Sequence, residues 1–168
     1  AGSLASTVSL NLVSNANGVS GLSNGAATTS GTPTAITTTG GVYDYAQAVY
    51  TGTTLAFGNV RTSGTVANQT VAFGNKTITN SSYQDSLNVS GSTANSFVTV
   101  GTITGLAAST NGATTSNLSV GVSTATAGSL ASTVSLNLVS NANGVSGLSN
   151  GAATTSGTPT AITTTGGV

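Results

Sequence analysis

Residues 132–144 read STVSLNLVSNANG, an alternating run that ends in an Asn-Gly pair. Val134, Leu136 and Leu138 alternate with small polar residues, which is the period of two expected of a strand with one buried face. The Asn-Gly pair favours the positive φ angles of a tight turn. This stretch therefore predicts a β-strand followed by a turn.

Alternating runs of the same kind occur along the rest of the chain. They centre on Leu55 and Phe57, Val71 and Phe73, Leu87 and Val89, Val98 and Val100, and Leu118, Val120 and Val122. Glycine-containing turn signals lie between them. About seven short strands at this spacing predict an all-β, immunoglobulin-like β-sandwich. A long β-helix is the alternative, but no short rung repeat is visible.

The two ends of the chain carry the same sequence. Residues 1–42 recur without a change at residues 127–168, an offset of 126 residues. We interpret this as a tandem repeat of about 126 residues, too long for one rung of a solenoid and suited to a whole domain. Residues 1–42 are then the C-terminal part of a preceding repeat, and residues 43–168 are one complete repeat. A deliberate duplication of the segment is the alternative.

The composition excludes most chemistry. The 168 residues include two Lys or Arg, two Asp or Glu, and no His, Cys, Met or Trp, whereas Ser, Thr, Asn and Gly make up 97. General acid–base, nucleophilic and transition-metal chemistry draw on side chains that are almost missing here. We therefore expect a structural protein rather than an enzyme, with no cofactor and no small-molecule substrate.

The charge content also limits the partners. The net charge is zero, so the attraction that drives nucleic-acid binding is missing. Asp44 and Asp85 are the only carboxylate side chains, too few for a calcium site of the usual kind. The apolar runs are far shorter than the ~20 residues of a membrane-spanning helix. We expect no nucleic-acid partner, no metal and no membrane span.

Several segments resemble a known family of repeats. Residues 55–60 (LAFGNV), 63–65 (SGT) and 69–77 (QTVAFGNKT) resemble the start of choice-of-anchor D and ASPM–SPD-2–Hydin-like immunoglobulin-like repeats. Residues 127–136 and 140–148 resemble the end of such repeats in large bacterial surface proteins of autotransporter or adhesin type. The resemblance implies an extracellular or cell-surface location and a spacer, adhesive or fibre-forming role. It supplies no catalytic residues.

The junction between repeats is the first candidate interaction site. Ile36, Val42, Tyr43, Tyr45 and Tyr50 lie around it in the sequence. Tyrosine rings there could pack one repeat against the next, or belong to the core of their own domain. The segment 34–50 could also complete the sheet of a neighbouring repeat by strand sharing.

Two covalent modifications also follow from residue types. Lys76, with Asp85 and the many Asn residues, provides the groups for a Lys–Asn crosslink, although an exposed Lys that protects a sheet edge is the simpler interpretation. Five N-x-S/T motifs mark candidate glycosylation sites. They begin at Asn68, Asn75, Asn80, Asn88 and Asn117.

These observations lead to two functional hypotheses. The first is a structural repeat of a secreted or cell-surface fibre whose partners are neighbouring copies of itself. Its low charge lets copies pack without repulsion, and its hydroxyl and amide groups offer neutral hydrogen bonds. The second is an adhesin module or stalk that binds surface glycans by stacking on Tyr43, Tyr45, Tyr50 or Tyr83.

Overall fold

The computed structural model describes residues 1–27, 35–113, 115–156 and 161–168. These residues form strands and two single-turn 3₁₀ helices, Ser81–Tyr83 and Thr110–Gly112. Contacts divide the chain into two compact units, Gly2–Val42 and Tyr43–Val168, with Ala1 grouped with the second. We call them the hairpin unit and the sandwich unit. No helix in the described part of the chain is long and apolar enough to cross a membrane.

The hairpin unit consists of short antiparallel ladders. Its strands are β1 (Gly2–Ser3), β2 (Ser6–Ser9), β3 (Val13–Ser14), β4 (Gly25–Ala26), β5 (Ala35–Thr38) and β6 (Gly41–Val42). β1 pairs with β6, β2 with β5 and β3 with β4. Each ladder is an isolated pair of strands, so the described residues of this unit form no second layer.

The sandwich unit contains the remaining strands, including all those of five residues or more. They are β7 (Gln47–Thr51), β8 (Thr54–Asn59), β9 (Gln69–Lys76), β10 (Ser86–Ser92), β11 (Val98–Val100), β12 (Thr102–Leu106), β13 (Ala108–Ser109), β14 (Ser116–Val122), β15 (Ser132–Asn141), β16 (Gly151–Ala152), β17 (Thr154–Thr155) and β18 (Ala161–Gly167). Every alternating run noted in the sequence lies in one of them.

Two six-stranded sheets build the sandwich unit. Sheet I has the order β12-β10-β15-β18-β8, with β16 beside β15, and sheet II has the order β11-β14-β9-β7-β17, with β13 beside β9. Most neighbours are antiparallel, but β8 runs parallel to β18, β7 to β17 and β13 to β9. The prediction of an all-β, sandwich-like fold is confirmed.

The core contains the apolar side chains of the alternating runs. On β9 and β14, buried residues alternate with more exposed ones because successive side chains point to opposite faces. The larger buried side chains are Leu55, Phe57, Val71, Phe73, Leu87, Val89, Val98, Ile103, Leu118, Val120, Leu130, Val134 and Ile162. Burying this apolar surface is the main favourable contribution to folding.

The first and last residues of the sandwich unit lie at its opposite ends. The Gln47 amide at the start of β7 donates to Asn75 Oδ1 near the end of β9 (3.0 Å). Gln69 at the start of β9 donates to the Ala56 carbonyl of β8 (2.6 Å), and β18 runs parallel to β8 toward Val168. Six residues of β9 span about 20 Å at about 3.3 Å each. We call the β7 start the proximal end and the Val168 side the distal end.

Candidate functional site

A cleft of about 330 Å³ lies at the proximal end of the sandwich unit. Its walls come from the segment before β7, the residue before β10 and the loop after β15. The lining residues are Tyr43, Asp44, Tyr45, Asp85, Gly147, Leu148, Ser149 and Asn150. We call this cleft the tyrosine cleft, because two of the four tyrosines of the chain line it.

Side-chain-to-backbone hydrogen bonds shape the loop after β15. Asn143 and Gly144 adopt φ angles of 54° and 74°, as the Asn-Gly signal predicts. Asn141 Oδ1 accepts from the Asn143 amide (2.9 Å), and Asn150 Oδ1 accepts from the Ala142 amide (3.0 Å). These bonds close the loop on itself and hold residues 147–150 against the cleft.

Backbone pairing holds the other wall. The Asp44 amide donates to the Tyr83 carbonyl (2.9 Å), and the Asp85 amide donates to the Asp44 carbonyl (3.0 Å). The rings of Tyr43 and Tyr83 meet with centroids 5.3 Å apart and planes tilted by 60°. Tyr45 remains 56% exposed, so its ring is free to contact another molecule.

Ser140 joins two elements beneath the cleft. Its hydroxyl is fully buried, donates to Asp85 Oδ2 (2.7 Å) and accepts from the Ala46 amide (2.8 Å). A buried carboxylate and a buried amide are therefore both satisfied by one side chain. Ser140 ties the segment before β7 to β10 and β15.

Asn75 satisfies four further groups at this end of the sandwich. Its Nδ2 donates to the Asp85 carbonyl (2.9 Å) and the Leu106 carbonyl (3.1 Å). Its Oδ1 accepts from the Gln47 amide (3.0 Å) and from Gln84 Nε2 (3.0 Å). The side chain is fully buried, and it uses its whole hydrogen-bonding capacity.

Asn75, Asp85 and Ser140 were not singled out from the sequence as a structural cluster. The sequence does indicate that these side chains face inward, because each lies two positions from an inward-facing apolar residue of a strand. Asn75, for example, follows Val71 and Phe73 at spacings of two. Asn, Asp and Ser are mostly surface residues, so composition alone favoured the opposite assignment. Their partners become visible only when β9, β10 and β15 are assembled.

The cleft offers a ligand both hydrogen-bonding groups and aromatic rings. No group of three or more His, Cys, Asp or Glu side chains that could hold a metal ion occurs among the described residues. Asp44 offers a carboxylate, and Tyr43 and Tyr45 offer aromatic surface. The Asp85 carboxylate is buried and already accepts from Ser140. This combination fits a neutral, hydroxyl-rich ligand better than an anion.

The predicted junction residues lie in different environments. Ile36 and Val42 are exposed in the hairpin unit, and Tyr43 and Tyr45 line the tyrosine cleft. Tyr50, in contrast, stacks on Phe73 (4.9 Å between centroids, 24° between planes) and packs against the core of its own unit. The structure therefore removes Tyr50 from the candidate contacts with a neighbouring repeat and with glycans.

The described part of the segment 34–50 pairs with strands of its own chain. β5 pairs with β2 inside the hairpin unit, and β7 pairs with β9 and β17 inside the sandwich unit. Thr34 lies outside the described residues. The segment thus contributes strands to two separate units.

The structure also corrects two of the predicted modifications. Asn75 cannot be glycosylated in the folded unit, because its Nδ2 is buried and donates to two carbonyl oxygens. Lys76 is exposed, and neither aspartate lies within ion-pair distance of it, so the buried geometry of a Lys–Asn crosslink is missing. Asn68, Asn80 and Asn117 are exposed, and Asn88 is half-buried.

Comparison of this chain with protein-family models, with curated proteins and with solved structures returns no match. The functional argument therefore rests on the residues and geometry given above.

Replacing Ser140 with Ala is expected to lower the free energy of unfolding of the sandwich unit by about 1–3 kcal/mol. The change leaves Asp85 Oδ2 and the Ala46 amide buried without their partner. Ser14, the same position of the first copy, is exposed, so Ser14→Ala is the matched control. Urea unfolding followed by circular dichroism measures both, because all four Tyr residues lie between 43 and 83 and tyrosine fluorescence would report only the sandwich unit. Equal effects would contradict the buried bridge.

Replacing Tyr50 with Phe is expected to leave stability at neutral pH unchanged or slightly higher. The Tyr50 hydroxyl is buried without a partner among the described residues, and burial raises the pKa of the phenol above its usual value. The folded state therefore holds this proton more tightly, so wild-type stability falls as pH rises from about 10 through the folded-state pKa. Urea unfolding at pH 8–11 should show a smaller alkaline loss for Tyr50→Phe. Identical pH profiles would contradict this assignment.

Proposed function

We propose that this chain is a structural repeat unit of a secreted or cell-surface fibre built from tandem immunoglobulin-like domains. The observation that carries the proposal is that the sandwich unit begins at its proximal end and finishes at its distal end. A domain of this kind extends an array along one direction, since the next copy starts where the previous one stops. Residues 1–42 and 127–168 are identical, which supports a unit that repeats along the chain.

The strand order supports an immunoglobulin-like topology. Sheet II runs β7-β9-β14-β11, which corresponds to the A-B-E-D order of such domains. In sheet I the neighbours β10-β15-β18 correspond to C-F-G, with β12 as an additional strand beside C. The first strand is divided between the sheets, because β7 pairs with β9 while β8 pairs with β18.

The charge distribution supports lateral packing of neutral modules. All four charged side chains, Asp44, Arg61, Lys76 and Asp85, lie between residues 43 and 126. Each further repeat adds two positive and two negative groups, so an array of any length remains neutral. Soluble globular domains typically carry about 25% charged residues, whereas this chain has 2%. This composition, with the family resemblance, supports an extracellular location.

The test is the length of arrays made from two, four and six copies of residues 43–168. Small-angle scattering should give a maximum dimension that grows by a constant increment for each repeat, and electron microscopy should show rods or filaments. A maximum dimension that stays nearly constant while the mass rises would contradict the proposal, because it would mean that the repeats fold back on one another.

Glycan binding at the tyrosine cleft is a second candidate function. It is favoured by the exposed ring of Tyr45 beside the carboxylate of Asp44. A panel of sugars titrated into the labelled protein should shift NMR signals of residues 43–45 and 147–150. Tyr45→Ala should abolish the shifts, and Tyr45→Phe, which keeps the ring, should retain most of them. No shift with any sugar, or shifts remote from the cleft, would exclude this candidate.

A further inference from the structure

The two identical copies adopt the same local backbone. β2 pairs with β5 in the register Ser6↔Thr38, and β15 pairs with β18 in the register Ser132↔Thr164, which is the same pair after the offset of 126 residues. The ladder of β3 with β4 recurs in the same way between β15 and β16. The hairpin unit is therefore already folded in the form that its copy has inside a sandwich.

The apolar side chains of the two copies differ in burial. Leu4 is 57% exposed, whereas Leu130, its equivalent, is fully buried. Val8 and Ile36 are each about half exposed, whereas Val134 and Ile162 are fully buried in the core. We call Leu4, Val8 and Ile36 the open face of the hairpin unit. The same residues thus have a known buried arrangement elsewhere in the same chain.

The cover of the buried copy comes from residues 43–126. β15 pairs along its length with β10, and β18 pairs with β8. β9 and β14, which also lie between residues 43 and 126, supply the facing sheet. Any segment with the sequence of residues 43–126 therefore offers the surface that fits the open face.

The hairpin unit cannot take this position on the residues 43–126 that directly follow it. In the sandwich unit the last residue of the C-terminal copy, Val168, lies at the distal end, bonded to Gly128 (2.8 Å). Residue 42 in that position would have to connect directly to Tyr43 at the proximal end, about 20 Å away by the length of β9. One peptide unit spans about 3.8 Å between Cα atoms. The acceptor must therefore belong to a different copy.

We propose that residues 1–42 are a preformed docking element whose open face binds the 43–126 segment of a second copy of the chain. The second copy is its partner because the occupied version of this interface, residues 127–168 on residues 43–126, is present in every molecule. In each 168-residue chain that C-terminal copy fills the acceptor. Weakening the C-terminal copy alone makes the N-terminal copy of another molecule the better ligand.

The test uses the full chain and matched substitutions at equivalent positions. Val134→Asp disables the C-terminal copy, so chains should associate through their N-terminal copies. Light scattering should then give at least twice the 15.9 kDa chain mass, with retained β-sheet circular dichroism. Val8→Asp should stay monomeric and folded. The double variant should be monomeric and unfolded, because neither copy can dock.

Each other result overturns the proposal. A monomeric Val134→Asp chain, folded or unfolded, would show that the N-terminal copy does not bind the vacated acceptor. Association of the double variant to the same extent would show aggregation that does not depend on the open face.

A second measurement does not depend on the stability of Val134→Asp. The chain has no Cys, so a single Val8→Cys reports the exposure of the open face by its rate of thiol labelling. Placing another copy of residues 43–126 before residue 1 should slow this labelling at least tenfold, toward the rate of Val134→Cys. An unchanged rate would overturn the proposal. This readout is independent of the fibre hypothesis, because it needs no elongated array.

Discussion

Replacing Leu130 with Ala is expected to lower the free energy of unfolding of the sandwich unit by about 2–5 kcal/mol. Leu130 is fully buried and belongs to the apolar core cluster. Truncating such a side chain removes its transfer free energy and leaves a cavity, and both contributions destabilise the fold. The measurement is urea unfolding of the full chain, followed by circular dichroism, which reports both units.

The control for this prediction is built into the chain. Leu4 has the same neighbours in sequence as Leu130 but is 57% exposed, so Leu4→Ala should change the free energy of unfolding by no more than about 0.5 kcal/mol. Because the two substitutions share their local sequence, helix or strand propensity cannot explain a difference between them. A large loss for Leu4→Ala would mean that the open face is covered in solution. A small loss for Leu130→Ala would contradict its place in the core.

Replacing Asn75 with Asp is expected to cost about 3–5 kcal/mol near neutral pH. The two side chains have nearly the same shape, but the substitution replaces an NH₂ donor with an oxygen that faces the carbonyl oxygens of Asp85 and Leu106. A charged carboxylate there is buried among acceptors, so the cost comes from electrostatics and desolvation rather than from lost packing.

The pH dependence separates this explanation from a general loss of structure. Burial beside carbonyl oxygens raises the pKa of the new carboxyl in the folded state, so the folded state binds its proton more tightly than the unfolded chain does. The penalty should therefore shrink as pH falls toward 4 and grow as pH rises. Asn117→Asp, at an exposed position of β14, is the control and should stay within about 0.5 kcal/mol. A pH-independent loss for Asn75→Asp would contradict the proposed hydrogen-bond network.

Much of the fold was predictable from local alternation. The runs around Val71 and Phe73, and around Leu118 and Val120, are strands because a period of two places every second side chain on one face of a sheet. The pairing of these strands into two sheets was predictable only in outline. Pairing depends on which distant strands present matching faces, and neighbouring positions in the sequence do not carry that information.

The candidate sites were less predictable than the strands. The sequence identified Tyr43 and Tyr45 as surface candidates, and both line the tyrosine cleft. The same reasoning treated Tyr50 like them, although it stacks on Phe73. It also treated Asn75 as one of several equivalent sequons. Residue type and motif do not distinguish an inward from an outward position near a strand end, whereas the assembled sheets do.

The repeated segment separates what the sequence alone determines from what the tertiary structure adds. In both copies the Asn-Gly turn has nearly the same φ angles, 52° and 73° at Asn17 and Gly18, and 54° and 74° at Asn143 and Gly144. The hairpin registers are also the same. Turn geometry and short-range pairing follow from sterics and hydrogen bonds between residues close in the chain, so identical sequences give identical results.

Burial, in contrast, is decided by the rest of the molecule. The same valine is about half exposed at position 8 and fully buried at position 134, because β10 and its neighbours cover only the second copy. Strand length follows the same rule: β2 has four residues, whereas β15 continues for ten beside its partners. Removing apolar surface from water requires a partner surface, and for residues 127–168 that surface comes from residues 43–126. The sequence of the segment determines its hairpins, and residues 43–126 determine whether those hairpins become part of a core.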